Sequence, residues 1–118
     1  MFSTQDLVEK SPEEMKREVD ELMAESARLR AEYDSTLERS DDLRRESVEA
    51  RSGNVELAEV LWTESEKLRD DSRELMRLSI EKRIRAADIK HRLDIKAEIE
   101  AIDAYDEAWR KAVRAGRS

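Results

Sequence analysis

Apolar and small residues recur along most of the chain at alternating steps of four and three. One run reads Met15, Val19, Leu22, Ser26, Leu29, Tyr33, Thr36, Ser40, Leu43, Ser47; a second reads Ala58, Leu61, Ser65, Leu68, Ser72, Leu75, Ser79. That spacing keeps each set on one helix face, as in a coiled-coil seam. Serine fills many alternate seam positions, and the phrase Ser-x-x-Leu recurs at Ser26, Ser40, Ser65 and Ser72. Between the runs lies Arg51-Ser52-Gly53-Asn54. Folding the chain there, so that facing residue numbers sum to 105, sets Ser26 against Ser79, Ser40 against Ser65 and Ser47 against Ala58. Tyr33, the bulkiest seam residue, then faces Ser72. Small layers meet small layers and the one large ring meets a small residue, which dense packing requires. A helical serine can return its hydroxyl to the carbonyl one turn back, so a buried serine there need not be left unsatisfied.

The expected fold is all-α: a long antiparallel two-helix hairpin, coiled-coil-like, with a short N-terminal helix, that completes a bundle by oligomerisation. Its segments are a helical piece at 1–10, helix one over 11–51, a turn at 52–54, helix two over 55–113 and a basic tail at 114–118. Ser11-Pro12-Glu13-Glu14 supplies an N-cap, a proline at the first helical position and a capping-box glutamate. Gly53 suits the left-handed position after a helix end, and Asn54 suits the next N-cap. No Gly or Pro then intervenes until Gly116. A bend near 78–82 would leave no mark in the sequence, and the alternative fold is a three-helix bundle made by such a bend.

Charge supports the same register. Residues 82–92 carry Lys82, Arg83, Arg85, Lys90 and Arg92 against Asp88, and they mirror 13–23 with Glu13, Glu14, Glu18, Asp20 and Glu21 against Lys16 and Arg17. Over residues 34–71, twelve acids meet six bases, a net of −6 out of −7 for the whole chain. The rod therefore has one acidic end, the tip, and finishes on Arg110, Lys111, Arg114 and Arg117 at the other. The 45% charged and 38% hydrophobic composition, with two Gly and one Pro, is that of long helices and coiled coils; high charge also marks disordered chains, but the sustained heptads argue against disorder. There is no Cys, which removes disulfides and thiolate metal sites. No apolar run approaches the ~18 residues of a membrane span. The first residues lack the pattern of a signal peptide, so a cytoplasmic location is expected, with leaderless secretion as the other route.

The chemistry-bearing residues are sparse. His91 is the only histidine, and Asp88-x-x-His91 offers two ligands where zinc wants three or four. The di-iron motif Glu-x-x-His is absent. The acid pairs Asp41-Asp42 and Asp70-Asp71 are neighbours on exposed helix, which point different ways and stay solvated, whereas acid–base catalysis needs carboxylates in a cleft. No serine has a base or glycine-rich turn to activate it, and there is no phosphate loop or dinucleotide fingerprint. The expectation is no enzyme, no cofactor, no metal and no small-molecule substrate. The basic stretch Lys82 to Lys96 has no interleaved aromatics to stack on bases, and nucleic-acid binding is not expected. Trp62, near the acidic tip with Val55 and Val60, is read equally as an interface anchor or as a cover for the hairpin itself.

The most apolar part of the chain is the end of helix two. Ile95, Ile99, Ile102, Trp109 and Val113 form one stripe with Tyr105 beside it, and Ala97, Ala101, Ala104, Ala108 and Ala112 form another. A helix this apolar over so much of its circumference calls for burial on two sides. These six residues, Ile95, Ile99, Ile102, Tyr105, Trp109 and Val113, are the expected partner-binding surface, and the partner is either a second copy or a helical protein. The expected function is that of a non-enzymatic interaction or assembly protein: adaptor, scaffold or secretion chaperone.

Two other functions fit the pattern. The layout resembles the type VII secretion substrates of the WXG family: about a hundred residues, two helices and a glycine-containing turn. Arg51-Ser52-Gly53 takes the place of that family's Trp-x-Gly, without the Trp, and the residue four after Tyr105 is Trp109 instead of the acid of its C-terminal signal. The resemblance implies a small secreted hairpin. The acidic stretch 34–71 suggests instead an inhibitor that mimics nucleic acid, although its acids are interspersed with Arg and Lys.

Overall fold

The structure, a computed structural model, describes residues 10–116. It contains two helices, α1 (Pro12–Ala50, 39 residues) and α2 (Val55–Gly116, 62 residues), packed against each other as an antiparallel hairpin about 98 Å long and 17 Å in its thinnest direction. The N-terminal helical segment expected at 1–10 lies, apart from Lys10, outside the described residues.

Local chemistry sets each boundary. Ser11 has extended backbone, and its Oγ accepts the Glu14 N–H at 3.2 Å, while Pro12 opens the helix and Glu13 and Glu14 face its positive end. At the other end the Arg51 N–H still donates to the Ser47 carbonyl, and the Gly53 and Asn54 N–H groups both donate to that of Ala50. Asn54 Oδ1 then accepts the Leu57 N–H at 3.1 Å and starts α2. The chain turns with no glycine at positive φ, so Gly53 is not the left-handed cap its position suggested. The right-handed Arg51 cap and the paired bonds to Ala50 complete the turn without one. A Cβ built on Gly53 meets nothing within 4 Å. Gly53→Ala is therefore expected to raise stability by about 0.4–1 kcal/mol, through a less flexible unfolded chain. Urea titration would show it as a higher midpoint at unchanged slope.

Helix α2 runs unbroken through 78–82 and on past Val113 to Gly116, so the three-helix alternative does not form. No helix breaker lies in that stretch, and Arg114 and Ala115 are good helix formers. Among the described residues, no helix is long and apolar enough to cross a membrane.

The register sums to 105. Ser26 Oγ lies 2.9 Å from Ser79 Oγ and 3.0 Å from the Ser79 carbonyl, Ser40 Oγ donates to the Ser65 carbonyl at 2.8 Å, and Ser47 Oγ donates to the Ala58 carbonyl at 2.6 Å. The hydroxyls on α1 thus cross to the other backbone instead of turning back on their own helix. Of the buried serines on α2, Ser65 and Ser72 bond back, to the carbonyls of Trp62 and Arg69, and Ser79 crosses to the Ser26 carbonyl at 3.0 Å. A serine side chain is short, so bonds of this kind require the two helices to lie close together. Six serines, Ser26, Ser40, Ser47, Ser65, Ser72 and Ser79, are buried at 3% exposure or less. The apolar core is correspondingly small and sits at the open end, where Leu22, Ala86 and Ile89 are buried with Met15, Val19 and Leu93 against them.

Candidate docking surface

By the same register Pro12, the start of α1, lies across from Leu93. Beyond Leu93, α2 continues for more than twenty residues with no α1 beside it. All the residues singled out for partner binding lie on this overhang. Ile95, Ile99, Ile102, Tyr105 and Trp109 are exposed, Ile102 at 60% and Trp109 at 61%, and Val113 is half-buried. Their steps of four and three bring them to one side of a single helix. Alanines 97, 101, 104, 108 and 112 are exposed too, and they present little bulk to a second backbone.

Elsewhere several ionisable groups are paired. Lys82 reaches Glu25 at 3.2 Å and Arg85 reaches Glu18 at 3.3 Å, so part of the basic stretch is neutralised by the acidic face of α1. The Lys10 ammonium, hydrogen-bonded to Glu18 at 2.7 Å, holds that carboxyl below the usual carboxylate range, with Arg85 adding to the effect. Asp88 pairs with Arg92 at 3.0 Å, and Asp88 and His91 are both exposed. Among the described residues, no three potential ligands gather as a metal site would need. Both acid pairs are exposed; Asp41 binds Arg69, Asp42 binds Arg45 and Asp70 binds Arg73.

Trp62 covers the hairpin near its tip. The Arg44 guanidinium of α1 lies 4.5 Å from its ring centroid, within cation–π range, and its indole N–H donates to Glu66 at 2.8 Å. It remains 36% exposed, beside exposed Val55 and Val60.

Two features escaped sequence reasoning. The first is a polar layer at mid-rod. Arg44 Nε donates to Ser65 Oγ at 3.2 Å, and Arg69 Nε donates to Ser40 Oγ at 3.3 Å, so each arginine reaches the serine of the opposite helix. The signal was present, because Ser40 and Ser65 both open the longer phrase Ser-x-x-Leu-Arg, as does Ser26. At Ser26 the arginine is Arg30, which reaches Met76 Sδ at 3.7 Å and stacks over Tyr33. Met76 itself stands where the Ser72 phrase would have its arginine. The second feature is an exposed line on the outer face of α2, Ile80 and Ile84 with Ala87 and His91, at steps of four, three and four.

No protein-family model, curated protein or solved structure matches this chain.

Proposed function

We propose that the protein is a non-enzymatic helical assembly protein, in which the hairpin is a stiff body and the overhang of α2 is the part that binds another helix. The observation that carries this reading is the exposed run Ile95, Ile99, Ile102, Tyr105 and Trp109 on a helix that has left its partner. Scattered surface apolar residues are ordinary, but a continuous stripe this long is characteristic of an interaction site. Its narrow spacing suits a helix laid alongside.

The test is a photo-crosslinking amino acid in place of Tyr105, used in the cells the protein comes from. Capture of a defined polypeptide, either this chain or another, that disappears when Ile102→Asp is added is the expected result. Capture that ignores Ile102→Asp, or no capture at all, would remove the stripe as a docking surface.

A further inference from the structure

We infer that the hairpin is the folding nucleus of the overhang: the docking stripe is kept as one helix face because α2 enters it unbroken from a clamped base. The inference rests on the docking function proposed for the overhang and adds how that surface is held ready. The placement of the apolar core carries it. The cluster sits at the foot of the overhang, where Ala86, Ile89 and Leu93 of α2 meet Met15, Val19 and Leu22 of α1. The pairs Lys82–Glu25 and Arg85–Glu18 lie just before it. Past Leu93 no described residue of α1 lies beside α2, which still runs as helix to Gly116. Large apolar side chains are therefore buried where the unsupported helix begins, and serines hold the middle of the rod.

The overhang's own sequence does not secure a helix. From Asp94 to Gly116, 13 of 23 residues are Ala, Glu, Lys or Arg, which are good helix formers. The other ten are Asp, Gly, aromatic or β-branched, which are poorer. Charges four apart cancel. Lys96–Glu100, Asp106–Arg110 and Glu107–Lys111 are opposite pairs, and Asp94–Glu98, Asp103–Glu107 and Arg110–Arg114 are like pairs. Adding a residue to this helix is therefore close to neutral. A helix that starts alone must also form a first turn, a step disfavoured about a thousandfold. Growth from Leu93 needs no such step, because the turn below it is already fixed in the hairpin. A surface that is helical in only a fraction of molecules binds more weakly by that fraction. Continuity with the hairpin removes that loss, and Ile99, Ile102 and Trp109 share one face before any partner arrives.

Ala97→Pro in the full chain, followed by Cα chemical shifts in solution, tests the inference. Ala97 is exposed. The proline removes the bond to the Leu93 carbonyl and disfavours helix at Lys96. It is tolerated at the first position of a new helix, so residues 98–116 keep every means of forming one alone. Ala112→Pro makes the same local break near the far end and is the control. The expected result is that 98–116 become coil in Ala97→Pro, whereas 98–107 stay helical in Ala112→Pro. Unchanged shifts over 26–79 show that the hairpin is intact; if they move, Ala101→Pro repeats the test one turn further from the cluster. A helical 98–116 in the broken chain, or an overhang already coil in the unaltered one, overturns the inference. Capture by the crosslinker at position 105 should fall about tenfold or more in Ala97→Pro. Undiminished capture by a melted overhang also overturns it, because docking then needs no preformed helix. If the unaltered chain captures nothing while Ala97→Pro melts the overhang, the docking reading alone fails and the hairpin remains the nucleus.

Discussion

Ser40→Leu is expected to destabilise the hairpin by about 3 kcal/mol, whereas Ser40→Ala costs only about 1 kcal/mol. The serine is fully buried, and its hydroxyl both donates to the Ser65 carbonyl and accepts from Arg69 Nε. Alanine loses those bonds, but the Ser65 carbonyl remains an acceptor in its own helix. Leucine loses them as well and adds three carbons to a closed layer. Two effects compete. Burying a leucine is worth about 1.5–3 kcal/mol if the helices can move apart to receive it. Moving them apart breaks the hydroxyl-to-carbonyl contacts of Ser26 and Ser47 on either side, which hold the same close spacing. One residue cannot reset a seam held at several places, so overpacking wins. Urea unfolding followed by circular dichroism compares the two variants. A leucine variant no weaker than the alanine variant would mean that the layer has room and that the close approach is not rigid.

Leu22→Ala is expected to cost about 2–3 kcal/mol and to act at the opposite end from the turn. Leu22 is one of the few large side chains buried in the hairpin, packed with Ala86 and Ile89 and covered by Met15, Val19 and Leu93. The value lies at the lower end for leucine truncations because the cluster is thin and near an end, where neighbours settle into the space. Its effect should also be local. The start of α1 has this cluster and the pairs Glu18–Arg85 and Glu25–Lys82 to hold it against α2. Surface pairs of that kind contribute roughly 0–1 kcal/mol each, so the cluster dominates. Amide hydrogen exchange should speed up over residues 13–25 while the turn remains protected. Uniform loss of protection from turn to open end would mean that the hairpin unfolds as one unit.

How far the sequence spoke depended on whether a feature was local or repeated. The register was legible because serines recur at matched distances from the turn; Ser26 with Ser79, Ser40 with Ser65 and Ser47 with Ala58 all meet as their numbering implies. The caps at Ser11 and Asn54 were legible because each uses only its own neighbours. The direction of the hydroxyls was not. Whether Ser40 bonds back or across depends on how close the helices lie, and the whole seam sets that distance. The handedness at Gly53 was missed for a related reason, since two N–H groups share the Ala50 carbonyl and remove the need for a left-handed residue. The reach of Arg44 and Arg69 across the seam was written in Ser-x-x-Leu-Arg, but a long side chain acquires meaning only once the opposite helix is in place. At the candidate site, the stripe was readable as apolar positions on one face. That it projects past the end of α1 follows from the unequal lengths of the helices on either side of the turn.

A seam built of serine also shapes the response to temperature. The heat capacity gained on unfolding comes from newly wetted apolar surface, about 0.45 cal/mol/K per Å², and is reduced by newly wetted polar surface, about 0.26 in the opposite sense. This hairpin buries hydroxyls and carbonyls along most of its length and a small apolar cluster at one end. Its unfolding therefore carries a small heat-capacity change for a chain of this size. The curve of stability against temperature is broad and shallow, with cold denaturation far below the freezing of water and heat denaturation spread over a wide interval. The close approach that lets a hydroxyl reach the neighbouring backbone thus yields a rod whose stability changes little between a cold and a warm environment.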